Sequence, residues 1–506
     1  MLSNSYLEGE PLRLGPGPQL LLDDVLVEDR FNLTRTLHYP VKYARNPVLV
    51  RDQPWEGDVI VKPHVIWDEE YGRLRAWYTC FNISNYHHGG GPVYYTGYAE
   101  SDNGFDWEKP RLDICPIGRY HKTNIVYLGN MPNRQGKWLF AAGQVFKDEA
   151  DPDPNRRYKM IGLDARPHPR FPDDINTEPS LLVSPDGLHW TLIGERPIFD
   201  SHSDTSNHMV YDAARGRWLL YCRPAVAVSG RSANPEHRHH RRRLSVMVSK
   251  DLENWSYPRT VFYPDERDLP DYDHAHVFRY GSHFLMLYAA MDGDDLARFE
   301  MRLASSADGV HWHRFHSRAN FLERGPSGAW DGGIVGPGCA PVRQGENLLL
   351  YYTGSTLGQY EAFTAQQEYH AACGVAIMKA DRFVAQRAGE RTGYLLTREF
   401  LLEGNALRVN LCANSLPYHQ PRLRVEVLRH PPLGEHADYH FRENGDTYAY
   451  DGFRLDDCVP LGGDGTSVRV NWKGRNLGEL SGQPVYLRFE LQDMDLYSFS
   501  IDNELG

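Results

Sequence analysis

Short apolar runs of strand length, each followed by a turn signal, recur from about residue 40 to about residue 390. Four of them are Arg73-Leu74-Arg75-Ala76-Trp77-Tyr78, Arg157-Tyr158-Lys159-Met160-Ile161-Gly162, Arg217-Trp218-Leu219-Leu220-Tyr221-Cys222 and His283-Phe284-Leu285-Met286-Leu287-Tyr288. A shared motif follows each one. It reads Ser101-Asp102-Asn103-Gly104-Phe105-Asp106-Trp107, then Ser184-Pro185-Asp186-Gly187-Leu188-His189-Trp190, Ser249-Lys250-Asp251-Leu252-Glu253-Asn254-Trp255 and Ser306-Ala307-Asp308-Gly309-Val310-His311-Trp312. Asn-Gly and Asp-Gly supply the positive φ that tight turns need. Each motif therefore predicts a strand end, a turn and a new strand opening at Trp. A fifth run, Leu348-Leu349-Leu350-Tyr351-Tyr352, leads through Gly374-Val375-Ala376-Ile377-Met378 to a decayed motif at Asp381-Arg382-Phe383.

Helical periodicity is nearly absent, and repeated all-β units of this size are the signature of radial repetition. The expected fold class is all-β, a five-bladed β-propeller followed by a C-terminal β-sandwich. The sandwich is expected because the pattern changes after Arg391. Leu407-Arg408-Val409-Asn410-Leu411, Leu423-Arg424-Val425-Glu426-Val427-Leu428 and Val485-Tyr486-Leu487-Arg488-Phe489-Glu490-Leu491 alternate as half-buried antiparallel strands do. The expected division is an N-terminal segment over 1–40 packing on the propeller, a catalytic propeller over 41–394 and an accessory β-sandwich over 395–506.

Composition narrows the function classes. A net charge of −12 argues against nucleic acid as a partner. One cationic run departs from it, His237-Arg238-His239-His240-Arg241-Arg242-Arg243, which reads as a solvated loop or as a site for an anionic substrate group. Seven scattered Cys with no C-x-x-C argue against a disulfide framework and a zinc cluster. No apolar stretch reaches membrane-spanning length, and the N-terminus lacks a secretory pattern, so the expectation is a cytoplasmic protein with no membrane partner. The 30 Tyr and 11 Trp fill pleated sheets and also suit carbohydrate, whose C–H faces stack on rings.

The series Asn46-Pro47-Val48-Leu49, Pro54-Trp55-Glu56 and Pro63-His64-Val65-Ile66-Trp67-Asp68, with the repeated Ser-x-Asp-Gly turns, resembles the five-bladed glycosidase superfamily. Its members are invertases, levansucrases, arabinanases and β-xylosidases of glycoside hydrolase families 32, 43, 62 and 68, with the family 130 mannoside phosphorylases as cousins. The resemblance covers roughly residues 40–390. It implies three carboxylates on the innermost strands: a nucleophile or base, a transition-state stabiliser and a general acid. The sequence departs from that pattern. Lys62-Pro63 stands where many family 43 members have Asp-Pro. Asn124, in the expected inner strand Thr123–Tyr127, stands where a second acid is expected.

The remaining acids are the catalytic candidates. Asp204, in Asp204-Thr205-Ser206-Asn207-His208, lies near the position of the family's general acid, and Asp331 follows Trp330 at the opening of the fifth blade. Glu56 and Asp58 flank Gly57 ahead of the first inner strand and would replace its missing acid. The plain alternative is a turn Asp for Asp204 and Asp331 and solvated loop charge for Glu56 and Asp58. Asp23 and Asp24 read as a turn after Leu20-Leu21-Leu22. Lys62, His64, Asn124, Asn207, Arg223, His274, His276 and Trp330 are the candidate substrate-binding residues. No cofactor is required, although His64, Asp273, His274 and His276 offer donors for a divalent cation on the axis.

The functional expectation is a glycoside hydrolase or transglycosylase acting on a furanoside or small glycoside through paired carboxylates at the channel. A glycoside phosphorylase and a non-enzymatic sugar-binding propeller are the alternatives. Carbohydrate is the expected partner, and a homo-oligomer stays open.

Overall fold

A computed structural model describes residues 4–167, 175–194, 196–198, 203–204, 207–224, 241–315, 317–364, 369–414, 420–431 and 448–504. The chain is all-β. The described α-helices are the short segments Asn4–Leu7, Ile83–His88 and Gln359–Thr364. None of the described helices is long and apolar enough to cross a membrane.

From Val59 to Lys379 most of the described strands form successive antiparallel units. The first pairs Val59–Asp68, Arg73–Phe81 and Pro92–Ser101, with Ile125–Tyr127 outermost. The second contains Ala141–Lys147, Tyr158–Pro167, Ile175–Ser184 and Thr191–Ile193. The third contains His208–Asp212, Arg217–Cys222, Leu244–Ser249 and Arg259–Phe262. The fourth contains Asp271–Tyr280, His283–Met291, Phe299–Ser306 and His313–Arg314. In the fifth, Ile334–Pro337 and Val342–Gln344 pair with Asn347–Ser355, which pairs with Ala371–Lys379. The outermost strand of that unit is Val41–Lys42, from the other end of the chain.

One expectation is corrected here. The segment around Asn124 does not open the second unit. Ile125–Tyr127 pairs back onto Pro92–Ser101, and the second unit begins at Ala141. The apolar Ile125 and Val126 satisfy a buried outer edge as readily as an inner strand, so hydrophobicity alone could not separate the two.

The repeated motif has a common hydrogen-bond geometry. In the second unit the Ser184 hydroxyl accepts the Gly187 N–H at 2.8 Å, and Asp186 Oδ1 accepts the N–H groups of Leu188 and His189 at 2.8 and 2.9 Å. The same pattern recurs at Ser101 and Asn103, Ser249 and Asp251, and Ser306 and Asp308. Each Trp follows the turn that ends the third strand of its unit.

The turns also join neighbouring units. The Gly187 carbonyl accepts from Trp77 Nε1 of the first unit at 2.7 Å, and the Gly309 carbonyl accepts from the Tyr221 hydroxyl of the third at 2.5 Å. The Gly104 carbonyl of the first unit accepts from the Tyr351 hydroxyl of the fifth at 2.9 Å. The last unit thus meets the first.

Gly309 has φ 74°, and a Cβ there would lie 2.6 Å from Leu219 Cδ1 and 2.8 Å from the Tyr221 hydroxyl. Gly309→Ala is expected to lower stability by about 1–3 kcal/mol, read from denaturant unfolding. Stability equal to the native protein would show that the turn does not lock the two units together.

The remaining strands build two further sheets. One orders Val27–Phe31, Gly393–Thr397, Pro484–Gln492 and Phe400–Leu401, with Arg422–Leu428 also on Pro484–Gln492. The other orders Thr34–Leu37, Val384–Arg387, Met494–Asp502, Ala406–Ala413 and Asp464–Arg469, with Gln19–Leu20 also on Met494–Asp502. Their alternate apolar residues, among them Val409, Val425, Phe489 and Phe499, share one core.

Candidate functional site

Three of the first strands are interrupted by bulges at comparable places. In the first unit the register shifts between Val61 and His64, leaving Lys62 and Pro63 out of the ladder. In the second it shifts between Ala142 and Gln144, and in the fourth between Tyr272 and Ala275, which frees Asp273 and His274. Bulges re-aim side chains. Lys62 has φ 55°, and its N–H donates to the Thr353 hydroxyl at 2.7 Å. At Gly143 a Cβ would lie 1.9 Å from the Asn207 carbonyl oxygen, so the close approach of the second and third units requires glycine.

These bulges surround a cavity lined by Lys62, Thr79, Phe81, Tyr94, Ala141, Asp273, His274, Phe299, Thr353, Gln359 and Tyr369, among others. Asp273 is buried and central. Arg223 Nη1 donates to its Oδ1 at 2.6 Å, and Arg242 Nη1 donates to the same oxygen. The other Arg223 nitrogen, Nη2, donates to Asp204. Arg242 also reaches Gln359 at 2.9 Å and the Tyr360 hydroxyl at 3.2 Å. Burial pushes the Asp273 pKa up, but Arg223, Arg242 and His274 together hold it well below the usual carboxylate range. Asp273 therefore stays ionised. Asp204 is more open, with its side chain 45% exposed.

Lys62 is half-buried at the cavity wall. Desolvation pushes its ammonium pKa down to about 8, with Asp273 and Asp204 opposing that shift and Arg223 and Arg242 adding to it. His274 Nδ1 lies 2.8 Å from Asp273 Oδ2, and burial lowers its pKa despite that partner. Asn207 bonds back to the segment carrying Asp204: its Nδ2 donates to the Asp204 carbonyl at 3.2 Å and its Oδ1 accepts the Ser203 hydroxyl at 2.8 Å.

His64 and His276 are buried beside this cavity with ring centroids 6.1 Å apart, and His208 stacks on His276 at 5.1 Å. Among the described residues neither ring nitrogen of His64 has a hydrogen-bond partner, and burial pushes its pKa down to about 3. His276 is lowered well below its ordinary value by the same cause. Both rings are neutral at working pH.

The structure does not gather the other sequence candidates here. Glu56 is buried against the Tyr78 hydroxyl at 2.5 Å, Lys109, and the N–H groups of Asp52 and Gln53. Asn124 accepts from Trp55 Nε1 at 2.7 Å and donates to Tyr78 and to the Tyr98 carbonyl, in the same interior network. Asp331 is buried in an ion pair with Lys42 at 2.6 Å and accepts from the Tyr352 hydroxyl at 3.1 Å. It ties the closing strand Val41–Lys42 to the fifth unit. Asp58 caps the helix Ile83–His88 through the Ile83 N–H at 2.7 Å. Asp58 and Trp330 line a second cavity with Arg51 and His370, and Tyr369 belongs to both cavities. Asp23 pairs with His283 at 3.3 Å, and Asp24 with Arg35.

The part of the cationic run from His237 to His240 lies outside the described residues. Of its remainder, Arg242 enters the site, and Arg241 pairs with Asp271 and Asp294 at 2.9 and 2.7 Å. Tyr94, Tyr369 and Gln359 carried no sequence signal. They come from a mid-strand position and from segments around a short helix, and only folding brings them together.

Two of the four candidate cation donors, Asp273 and His274, are already engaged by protein partners. The Asp273 oxygens are taken by guanidiniums and by His274, and His274 Nε2 lies 3.3 Å from the Pro337 carbonyl. Among the described residues no three His, Cys, Asp or Glu side chains form a metal-holding group.

No family model matches the sequence, and no curated protein matches it. Similar solved structures include a β-1,2-mannobiose phosphorylase from Listeria innocua, at 12% identity and TM-score 0.45 over 68% of this chain and 97% of that one. A thermostable family-43 glycoside hydrolase has 18% identity and TM-score 0.42 over 69% and 95%. An N-acetylgalactosamine deacetylase from F. plautii, solved with blood group B trisaccharide, has 16% identity and TM-score 0.46 over 70% and 97%.

Proposed function

We propose that the chain is a carbohydrate-active enzyme, a glycosidase built on a five-bladed β-propeller over 41–394 with a β-sandwich over 395–506, and that it acts in the Asp273 cavity. The observation that carries this reading is the pairing of Asp273 and Asp204 on one guanidinium, Arg223, beside a cavity walled by Phe81, Tyr94, Phe299 and Tyr369. Aromatic walls suit sugar C–H faces. A permanently ionised Asp273 stabilises a developing positive charge at the anomeric carbon, and the more open Asp204 moves the proton, either from an attacking water or to the leaving oxygen.

The sandwich, joined by the N-terminal strands Val27–Phe31 and Thr34–Leu37, supports the propeller in this reading and contributes no catalytic group. The test is release of reducing sugar from a panel of aryl glycosides and oligosaccharides, with and without inorganic phosphate. Turnover without phosphate on at least one glycoside is the expected result. Strictly phosphate-dependent turnover would make the chain a phosphorylase. Sugar binding without turnover of any member would favour a binding propeller.

A further inference from the structure

The Lys62 ammonium lines the cavity, yet it makes no hydrogen bond or ion pair among the described residues. The other charges beside it are committed. Asp273 takes both Arg223 and Arg242, and Asp204 takes Arg223. The next charges outward are paired as well: Arg241 with Asp271, Lys42 with Asp331, and Arg298 with Glu361. Among the described residues, three cations therefore face two carboxylates, and burial keeps His274 from adding a positive charge. Among these groups one positive charge is left over, on the half-buried Lys62. Such a charge is unfavourable until a counter-charge arrives.

We infer that the cavity takes an acidic sugar, a glycoside ring bearing one carboxylate, and that this carboxylate meets the Lys62 ammonium. The inference rests on the cavity being a sugar site. A single carboxylate cancels the surplus charge. A phosphate, carrying closer to two charges, would overshoot it. The forks that would grip a phosphate are already occupied, that of Arg223 by Asp273 and Asp204 and that of Arg242 by Asp273, Gln359 and Tyr360. Phe81, Tyr94 and Tyr369 leave apolar wall for the ring itself.

Calorimetric titration of the native protein with D-glucuronate and D-galacturonate tests this, with D-glucose and D-galactose as neutral counterparts and inorganic phosphate as the competing anion. At least one uronate is expected to bind roughly 10-fold or more tightly than its neutral parent, the size of one charge-assisted hydrogen bond. Lys62→Met is expected to erase the preference, and Lys62→Arg to keep it. The inference is overturned if neither uronate outdoes its neutral sugar, if phosphate binds more tightly than both uronates, or if a folded Lys62→Met keeps the preference. The native comparison decides the matter even if Lys62→Met fails to fold. Neutral sugars binding as well as uronates would remove this inference and leave the glycosidase reading standing; turnover of neutral glycosides tests that reading separately.

Discussion

Asp273→Asn is expected to reduce turnover at least about 10²-fold on any glycoside the native protein cleaves. The change is nearly isosteric, so shape is kept and only the charge is lost. That charge is the one group in the cavity held ionised by two guanidiniums, and removing a group that acts in the transition state costs orders of magnitude. It also leaves Arg223 and Arg242 short of a counter-ion, so stability should fall as well. The two effects are separable. Rates are measured on protein shown to be folded, and Asp204→Asn serves as a companion because its side chain is 45% exposed and its loss should be milder for folding. Both variants should lose kcat more than they raise KM. Near-normal turnover in folded Asp273→Asn would remove the cavity as the site of chemistry. Asp331→Asn provides the contrast: its carboxylate is tied to Lys42 and Tyr352, and the expected loss is in stability rather than rate.

The second large effect lies between the first two units. Asp68 and Arg75 pair at 2.9 Å with both side chains fully enclosed. Asp68 also accepts from the Tyr158 hydroxyl at 2.5 Å and from Lys147 at 3.0 Å, while Arg75 reaches the Tyr98 hydroxyl and the Asp186 carbonyl at 2.6 Å. Asp68→Asn leaves a buried guanidinium without its charge partner, and the expected cost is about 3–5 kcal/mol in denaturant unfolding. Asp68→Leu combined with Arg75→Met should recover much of that loss, since apolar groups of similar volume avoid the desolvation of both charges. An additive double variant would show that the pair is not coupled.

The same site sets part of the acid limit. Burial raises the Asp68 pKa, but the bonds from Tyr158, Arg75 and Lys147 outweigh it and hold the folded value below the ordinary 3.8. A depressed carboxylate contributes stability that is fully present above its unfolded pKa and lost as pH falls through the folded one. Native stability should therefore decline below about pH 4, and Asp68→Asn should show a shallower decline.

What could be read from residue order was what depends on near neighbours. Each Ser-x-Asp-Gly turn is closed by bonds spanning two or three residues, so its geometry was visible in the motif, and with it the repetition of the strands. Alternation likewise announced the C-terminal strands, because the two faces of a strand meet different surroundings wherever it pairs. The closing strand Val41–Lys42, by contrast, meets Ala376 and Ile377 across most of the chain, and nothing local in its sequence announces that. The candidate site was legible only in part. Lys62, Arg223, Asp204 and His274 follow from their expected strand positions, whereas Asn124 and Glu56 are interior partners of Tyr78. The Asp273 cluster draws on bulges and strand ends from separate units. Whether a carboxylate is ionised, capped or paired is set by which distant guanidinium reaches it, and packing alone brings Arg223 and Arg242 to the same oxygen.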